Sequence, residues 1–454
     1  MQHWLDSTLF YHIYPLGFCD CPEQNDYSKP AVPRLEKIMD WAEHINRLGV
    51  DALYLGPVFE SATHGYDTTD YYWVDRRLGN KESLTSLVAK MHAQGIRVIL
   101  DGVFNHVGRD FWAFRDVCNN LQQSRYCDWF DRLSFAHRSP YNDPFTYEAW
   151  QGHYNLVSLN LKNTAVKEHL FQAVREWITT YNIDGLRLDA ADCLDLGFIE
   201  ELGAFCRRIR PDFWLVGEVI HGNYTKWAND KALDSITNYE CYKGLFSSHN
   251  DKNYFEIASS LKRQFGEKGI YKHLQLYNFV DNHDVNRLAS VLKNSGDLYP
   301  LHIILMTMPG IPSIYYGSEW GIKGEKEQDS DAPMRPSKET LDAQKTKKKY
   351  ELAETISRLA KIRRNSPALK YGNYEELLVA HEHLAFQRKS EQETIITVIN
   401  SAEKKVSVNL SVQQPNGTQL ADLLNQGKGY IVKNGKLHIP EVYPRWGCIL
   451  KVLA

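Results

Sequence analysis

Three apolar segments of this sequence each end at a carboxylate, at Asp189, Glu218 and Asp284. A short apolar run is typical of a buried strand, and a carboxylate at the carboxyl end of such a strand lies where parallel α/β folds build their active sites. Two carboxylates can cleave a glycosidic bond, and a third can stabilise the cation that forms during cleavage. The arrangement therefore predicts sugar chemistry.

Strand-like and helical patterns alternate over most of the chain, as expected for a parallel sheet with crossover helices. Eight strands, enough for a (β/α)8 barrel, are predicted at residues 9–14, 52–56, 97–101, 184–189, 213–218, 235–239, 274–280 and 312–316. Amphipathic periodicity predicts helices at residues 35–48, 81–94, 164–181, 198–209 and 254–265. The three carboxylates then follow the fourth, fifth and seventh strands.

One connection is too long for an ordinary loop. About fifty residues after the third strand lack clean periodicity, and a loop of that length in a compact fold is usually functional. We predict an inserted subdomain over residues 105–157 at the C-terminal face of the barrel, so that the catalytic barrel comprises residues 1–104 and 158–371. A charged helical stretch at 338–364 is followed by short alternating segments, which predict a C-terminal all-β sandwich domain over residues 372–454.

Composition argues against several classes of partner. The chain has 53 basic and 56 acidic residues and a net charge of −3, so neither nucleic acid nor an anionic membrane is an expected partner. The first residues lack the pattern of a secretory signal, and eight scattered cysteines favour free thiols. We therefore expect a cytoplasmic protein, and the sequence leaves its oligomeric state open.

Seven motifs resemble, in the same order, those of the α-amylase family of retaining glycoside hydrolases, glycoside hydrolase family thirteen. Four carry chemistry: Asp-Gly-Val-Phe-Asn-His at 101–106, Gly-Leu-Arg-Leu-Asp at 185–189, Gly-Glu-Val at 217–219 and Val-Asp-Asn-His-Asp at 280–284. Three auxiliary motifs lie at 64–67, 156–160 and 310–317. The resemblance covers nearly the whole chain.

The resemblance implies a separate role for each carboxylate. Asp189 would be the nucleophile that forms a covalent glycosyl-enzyme, Glu218 the acid/base, and Asp284 the group that stabilises an oxocarbenium-like transition state. Arg187, two residues before Asp189 on the same strand face, supplies a cation that is expected to lower the pKa of Asp189. The apolar run before Glu218 predicts a desolvated surrounding, which suits an acid that must hold its proton.

Other residues are implied to surround the reacting sugar. The substrate-binding residues are Tyr66, His106, Arg187, His283, Asp331 and Arg335. The active-site shell contains Asp67, Asp101 and Asn105, and Asp101 is implied to help fix Arg187. Neutral imidazoles suit His106 and His283, because each offers one donor and one acceptor to a sugar hydroxyl. The match of Asp331 and Arg335 is thinner, and a surface salt bridge is an equal alternative for that pair.

Many α-amylases hold a structural calcium between the barrel and the inserted subdomain. Asn105 resembles one of its ligands, and oxygen ligands are available nearby at Asp128, Asp131 and Asp143. However, the Lys-His pair of calcium-bound members is replaced here by Asp-Cys at 192–193. We therefore do not expect calcium, although Asn105 is kept as a candidate ligand, and the chemistry requires no cofactor.

The segment at 156–160 resembles that of neopullulanases, cyclomaltodextrinases and maltogenic amylases. Those enzymes act on maltooligosaccharides, cyclodextrins and sometimes pullulan, but many carry an N-terminal β-domain that this chain is not expected to have. The resemblance implies a retaining hydrolase of α-1,4-glucosidic bonds, with α-1,6 bonds as further candidates. A 4-α-glucanotransferase with the same residues is the nearest alternative. A non-catalytic α-glucan-binding relative should have lost at least one of the three carboxylates.

Overall fold

The structure is a computed structural model that describes residue 4 and residues 8–328, 330–344 and 347–453, except the side chains of residues 347–350. The N-terminal residues 1–3 and 5–7, which the prediction of no secretory signal concerns, lie outside the described residues. So do residues 345 and 346 of the predicted helical stretch.

Eight parallel strands form a closed barrel in the first three quarters of the chain. They are β1 (Phe10–Ile13), β2 (Ala52–Leu55), β3 (Arg97–Gly102), β6 (Gly185–Leu188), β7 (Trp214–Gly217), β8 (Ser235–Ile236), β9 (Tyr277–Asn278) and β10 (Ile311–Tyr315). Two further strands, β4 (His106–Gly108) and β5 (Leu156–Ser158), pair with each other. The barrel order is β8-β7-β6-β3-β2-β1-β10-β9, and a parallel bridge between Thr237 and Tyr277 closes it. This confirms the predicted (β/α)8 barrel.

Helices connect the strands and cover the barrel. They are α1 (Pro15–Phe18), α2 (Glu36–Asp40), α3 (Ala42–Leu48), α4 (Lys81–Ala93), α5 (Trp112–Asn120), α6 (Thr164–Thr180), α7 (Leu196–Ile209), α8 (Tyr239–Asn250), α9 (Phe255–Phe265), α10 (Leu288–Val291), α11 (Leu298–Thr307), α12 (Lys338–Gln344), α13 (Lys347–Arg364) and α14 (Pro367–Tyr371). Side chains that accept backbone N–H bonds start several of them, as Asn163 does for α6 and Asp195 for α7. The helix predicted at 35–48 is instead two helices that meet at Trp41.

The long connection after β3 folds as a small unit with its own packing. It contains α5 and the antiparallel pair of β4 and β5, so that both ends of the connection lie side by side. The rings of Phe114, Phe130 and Phe145 pack edge to face inside it. The predicted domain boundaries at residues 105, 158 and 372 remain predictions.

The C-terminal part is entirely β. Its strands are β11 (Asn373–Val379), β12 (His383–Lys389), β13 (Thr394–Asn400), β14 (Val406–Ser411), β15 (Gln419–Asp422), β16 (Gly429–Lys433), β17 (Lys436–Val442) and β18 (Trp446–Val452). They pair antiparallel in the order β11-β12-β13-β18-β15-β16-β17-β14. Ala385 of β12 and Val408 of β14, from opposite ends of this order, pack in one core. The sheet therefore folds over itself, as the predicted all-β sandwich requires.

Two other sequence expectations concern the whole chain. All eight cysteines are free, as predicted. None of the helices in the described ranges combines the length and the apolar character that a transmembrane span needs.

Buried histidines predict that the protein loses stability in mild acid. Burial lowers the pKa of His106, His249 and His302 to about 4 each, whereas a histidine in the unfolded chain has a pKa near 6.5. Below pH 6.5 the unfolded chain therefore binds protons that the native protein excludes. The contribution of these histidines to stability is complete above that pH and falls towards pH 4 by about 1.4 kcal/mol per pH unit for each histidine.

Urea unfolding at pH 7, 6 and 5 would measure this loss, and we expect the unfolding midpoint to fall at each step. His302→Gln removes one of these titrating rings, and His302 lies in α11, outside the loops that carry the three carboxylates. The midpoint of this variant should fall less steeply with pH than that of the unchanged protein. An equally steep fall in both proteins would contradict the assignment to buried histidines.

Candidate active site

The three predicted carboxylates converge at the carboxyl ends of the barrel strands. Asp189 directly follows β6, Glu218 directly follows β7, and Asp284 lies in the loop after β9. The Asp189 and Glu218 side chains are 10% and 13% exposed, whereas that of Asp284 is 40% exposed. Two shielded carboxylates and one more open carboxylate therefore lie at the same end of the barrel.

One guanidinium group holds three carboxylates together. Arg187 Nη1 lies 2.8 Å from Asp189 Oδ1 and 2.9 Å from Asp101 Oδ1, and Arg187 Nη2 lies 2.8 Å from Glu218 Oε2. These side chains come from three adjacent strands, β3, β6 and β7. Charge-assisted hydrogen bonds of this length are strong and directional. Arg187 therefore fixes the relative positions of Asp189 and Glu218.

The pKa of Asp189 moves in the direction opposite to the prediction. Burial raises the pKa of the Asp189 carboxyl well above its usual range, and the nearby charges of Glu218 and Asp101 act in the same direction. Arg187 does lower the pKa of Asp189, as predicted, but burial is the larger effect. The Arg187 contact is thus what favours the ionised form in a site that otherwise disfavours it.

Asp284 is held by one imidazole and one guanidinium. Its Oδ2 lies 2.9 Å from His283 Nε2, and its Oδ1 lies 3.3 Å from Arg335 Nη2. Desolvation in the cleft pushes the pKa of Asp284 upward, but His283 and Arg335 outweigh it and hold the pKa well below its usual range. Asp284 is therefore an anion at neutral pH.

Asp331 and Arg335 form the ion pair that the sequence suggested, with Arg335 Nη2 2.9 Å from Asp331 Oδ2. The Arg335 side chain is only 11% exposed and stacks over the Tyr14 ring at 4.5 Å. Its Nε also donates to the His283 carbonyl at 3.0 Å. This is not an isolated surface salt bridge, because the same guanidinium contacts Asp284.

Tyr66 links the group of side chains around Arg187 to the group around Asp284. Its hydroxyl donates to Asp101 Oδ2 at 3.0 Å and also contacts His283 Nε2. The Tyr66 and His283 rings lie parallel, with centroids 5.3 Å apart. Tyr54 donates to the same oxygen of Asp101 at 2.7 Å. Asp101 and His283 therefore fix the position of the Tyr66 ring.

His106 lies on the other side of Asp189, with its Nε2 4.0 Å from Asp189 Oδ2. Burial lowers the pKa of His106 to about 4, so the ring is neutral at neutral pH, as expected for a group that binds a sugar hydroxyl. Asn105 donates its side-chain amide to His106 Nδ1 at 3.2 Å. This contact leaves the Nε2 edge towards Asp189, and Nε2 has no hydrogen-bond partner among the described residues.

Asp67 supports the loop that carries Tyr66. It accepts hydrogen bonds from the Thr63 backbone at 3.1 Å and from the Thr63 hydroxyl at 2.6 Å. These bonds close a tight loop around Gly65, which has φ +90°. The structure therefore places Asp67 as a support for the Tyr66 loop.

One of the oxygen ligands considered for calcium, Asp143, is paired with a cation. Asp143 is held by Arg109 at 2.8 Å and 2.9 Å in a two-bond ion pair, so its oxygens are already used. Within the described part of the chain, no three His, Cys, Asp or Glu side chains are grouped so that they could hold a metal ion. The expectation that the chain holds no structural calcium stays a prediction.

Two contacts of Glu218 were missed by the sequence reasoning. Glu218 Oε2 accepts from the Ala190 backbone at 3.1 Å, and Glu218 Oε1 accepts from the Tyr239 hydroxyl at 3.3 Å. Asn282 in turn donates to the Tyr239 hydroxyl at 3.2 Å. The position of Tyr239 at the end of the predicted sixth strand was a usable signal. Ala190, which has φ +43°, left no signal in the sequence.

Known proteins match this chain in both parts. A family model for the alpha amylase catalytic domain matches residues 12–361, and one for the maltogenic amylase C-terminal domain matches residues 374–440. A cyclomaltodextrinase from Thermoanaerobacter pseudethanolicus is 30% identical, over 88% of this chain and 71% of that protein. Neopullulanase 2 from Thermoactinomyces vulgaris is 31% identical, over 98% of this chain and 78% of that protein.

A solved structure resembles the chain over its whole length. The crystal structure of the debranching enzyme from Nostoc punctiforme, soaked with acarbose, is 28% identical and has a TM-score of 0.80. The superposition covers 98% of each chain. The match of the catalytic-domain model to more than three quarters of the sequence decides the family. The chain belongs to the α-amylase family of glycoside hydrolases, glycoside hydrolase family thirteen.

Proposed function

We propose that this chain hydrolyses α-1,4-glucosidic bonds in maltooligosaccharides, cyclodextrins or related α-glucans, and that α-1,6 bonds are further substrates. The observation that carries this proposal is the contact of Asp189 and Glu218 with the single guanidinium of Arg187. A retaining glycosidase needs two carboxyl groups at the glycosidic bond: an ionised one that attacks the sugar and a protonated one that donates to the leaving oxygen. The names of the relatives, a cyclomaltodextrinase and a neopullulanase, support the same substrate class.

In the first step Glu218 gives its proton to the glycosidic oxygen while Asp189 attacks the anomeric carbon. The bond between that carbon and the leaving oxygen breaks, and a covalent ester to Asp189 Oδ forms. Arg187 contacts Asp189 through Oδ1, which leaves the second oxygen available to the sugar. His106, 4.0 Å from that oxygen, is placed to bind a hydroxyl of the same ring.

In the second step the ionised Glu218 removes a proton from water, and the resulting oxygen displaces the Asp189 carboxylate from the anomeric carbon. Two inversions at one carbon leave the product with the α configuration of the substrate. Asp284, an anion held by His283 and Arg335, stabilises the positive charge that develops in both steps. It does so without forming a bond to the sugar.

The eight free cysteines support action in a reducing cytoplasm. A glucanotransferase differs only in the second step, in which a sugar hydroxyl takes the place of water. The same residues serve both reactions, so the products must separate them.

Product analysis tests the proposal. We expect new reducing ends from maltoheptaose and β-cyclodextrin, and chromatography of digests that also include pullulan and soluble starch would define the linkage. A net increase in reducing ends indicates hydrolysis, because transfer to a sugar hydroxyl leaves their number unchanged, whereas products longer than maltoheptaose indicate transfer. NMR of the first product should show the α-anomer. An initial β-anomer, or no cleavage of any of the four glucans, would overturn the proposal.

A further inference from the structure

A small cavity inside the barrel is lined in part by Glu218 and by the Arg187 side chain that holds it. Its volume is about 20 Å³, and its walls include His12, Glu218, Tyr239, Asn282 and His283. One water molecule needs roughly 10–15 Å³ and two to four polar partners. The cavity is therefore large enough and polar enough for a single water molecule.

Two imidazole nitrogens in this wall lack partners among the described residues. They are His12 Nε2 and His283 Nδ1, and both side chains are buried. The two rings are perpendicular, with centroids 5.1 Å apart, and no direct hydrogen bond between them is found. Because buried polar atoms in folded proteins almost always have a partner, a molecule between the rings would satisfy both.

The other nitrogen of His283 fixes where the ring carries its hydrogen. His283 Nε2 lies 2.9 Å from Asp284 Oδ2, and an ionised carboxylate only accepts. Nε2 also contacts the Tyr66 hydroxyl oxygen, whose own hydrogen is donated to Asp101. The hydrogen therefore lies on Nε2, and in the neutral ring Nδ1 is an acceptor that needs a donor.

We propose that the cavity holds one water molecule that donates to His283 Nδ1 and bridges it to His12 Nε2. His12 is then a positioning residue: through this water it keeps the hydrogen of His283 on Nε2, directed at Asp284. The inference rests on the proposed function, because it assigns the supports of the carboxylate that stabilises the transition state. His12 itself touches neither the sugar nor the reacting bond.

The surroundings of His12 suit this role. Burial lowers the pKa of His12 well below its usual range, and the positive charge of the Arg187 guanidinium acts in the same direction. The neutral ring can face the water as donor or as acceptor. The other charged or titratable groups that face His12 are Asp284, Arg287, Tyr54 and Tyr315.

Two measurements test the site without reference to activity. A crystal structure of the whole chain, at a resolution that shows ordered water, should contain one peak within hydrogen-bond distance of His12 Nε2 and His283 Nδ1. NMR of protein with ¹⁵N-labelled histidine should show His283 with its hydrogen on Nε2 and an unprotonated Nδ1. An empty cavity, or a hydrogen on Nδ1, would overturn the inference.

Kinetics of three variants test the positioning role. His12→Phe removes the nitrogen, and we expect kcat to fall about tenfold, the value of one hydrogen bond, with little change in KM. His12→Gln keeps a polar group and should restore most of kcat. His302→Phe is the matched control, because His302 is also buried with an unpartnered Nε2 but lies in α11.

A merely structural His12 would lower the unfolding midpoint in His12→Phe as His302→Phe does, and would leave kcat of the folded protein unchanged. That result, or the failure of His12→Gln to restore kcat, would contradict the positioning role. Failure of these tests leaves the proposed function intact. Conversely, an unchanged protein that cleaves none of the four glucans contradicts the proposed function, whatever the cavity contains.

Discussion

Asp189→Asn should reduce kcat by about 10⁴-fold or more while the protein stays folded. An amide oxygen is far too weak a nucleophile to form the glycosyl ester, so the first step loses its attacking group. The amide has nearly the shape of the carboxylate, and Arg187 keeps its contacts with Asp101 and Glu218. Burial raises the pKa of Asp189, so replacing this buried carboxyl with a neutral group should not destabilise the fold.

The measurement is kcat on maltoheptaose, together with the thermal midpoint of each protein. Asp212→Asn is the matched control, since it makes the same chemical change at an exposed carboxylate that pairs with Arg97 at 3.1 Å on the surface. The control should keep the full kcat. Turnover within a few-fold of the unchanged protein in Asp189→Asn would remove Asp189 from the role of nucleophile.

The barrel could be predicted from the sequence because each strand is a short apolar run bounded by breakers. Both faces of such a strand are buried, so neither a register nor a partner is needed to recognise it. The same feature located Asp189 and Glu218, since a residue that directly follows a barrel strand lies at the carboxyl face. The sixth and seventh strands pair over only two residues each, which sequence patterns do not reveal.

The contacts of Arg187 could not be predicted in full. The pairing with Asp189 follows from their spacing on one strand, and the family resemblance implies the contact with Asp101. The contact with Glu218 depends on the register between β6 and β7. The predicted direction of the pKa shift at Asp189 was wrong because burial could not be judged from the sequence. Sequence shows the adjacent cation, whereas burial is decided by everything that packs above the strand ends.

Long-range loops limited the rest of the site. Asp331 and Arg335 were recognisable as a pair. Arg335 also contacts Asp284, which lies 51 residues earlier in the chain, in the loop after a different barrel strand. Ala190, whose N–H donates to Glu218, has a left-handed backbone conformation. Alanine rarely adopts this conformation, so the residue type gives no indication of it. These contacts between distant loops depend on the three-dimensional arrangement of the closed barrel, which the local sequence does not specify.

Glu218→Gln should affect substrates according to their leaving groups. A glucan leaves as an alkoxide unless it receives a proton, so we expect kcat/KM on maltoheptaose to fall by about 10³-fold or more. An activated aryl α-glucoside leaves as a stabilised phenolate and needs no proton, so its kcat/KM should fall far less. The glycosyl-enzyme formed from the aryl glucoside should then accumulate, because Glu218 also activates the water of the second step. Its formation should be seen as an initial burst of released phenolate.

The fold should survive this change. Glu218 Oε2 accepts from Arg187 Nη2 at 2.8 Å and from the Ala190 backbone at 3.1 Å, and the amide oxygen of Gln can accept from both. Glu201→Gln, at an exposed ion pair with Lys167, is the matched control and should leave both substrates unaffected. Equal losses of kcat/KM on maltoheptaose and on the aryl glucoside would show that proton donation is not what Glu218 contributes, and the acid would have to be sought among the neighbours of Arg187.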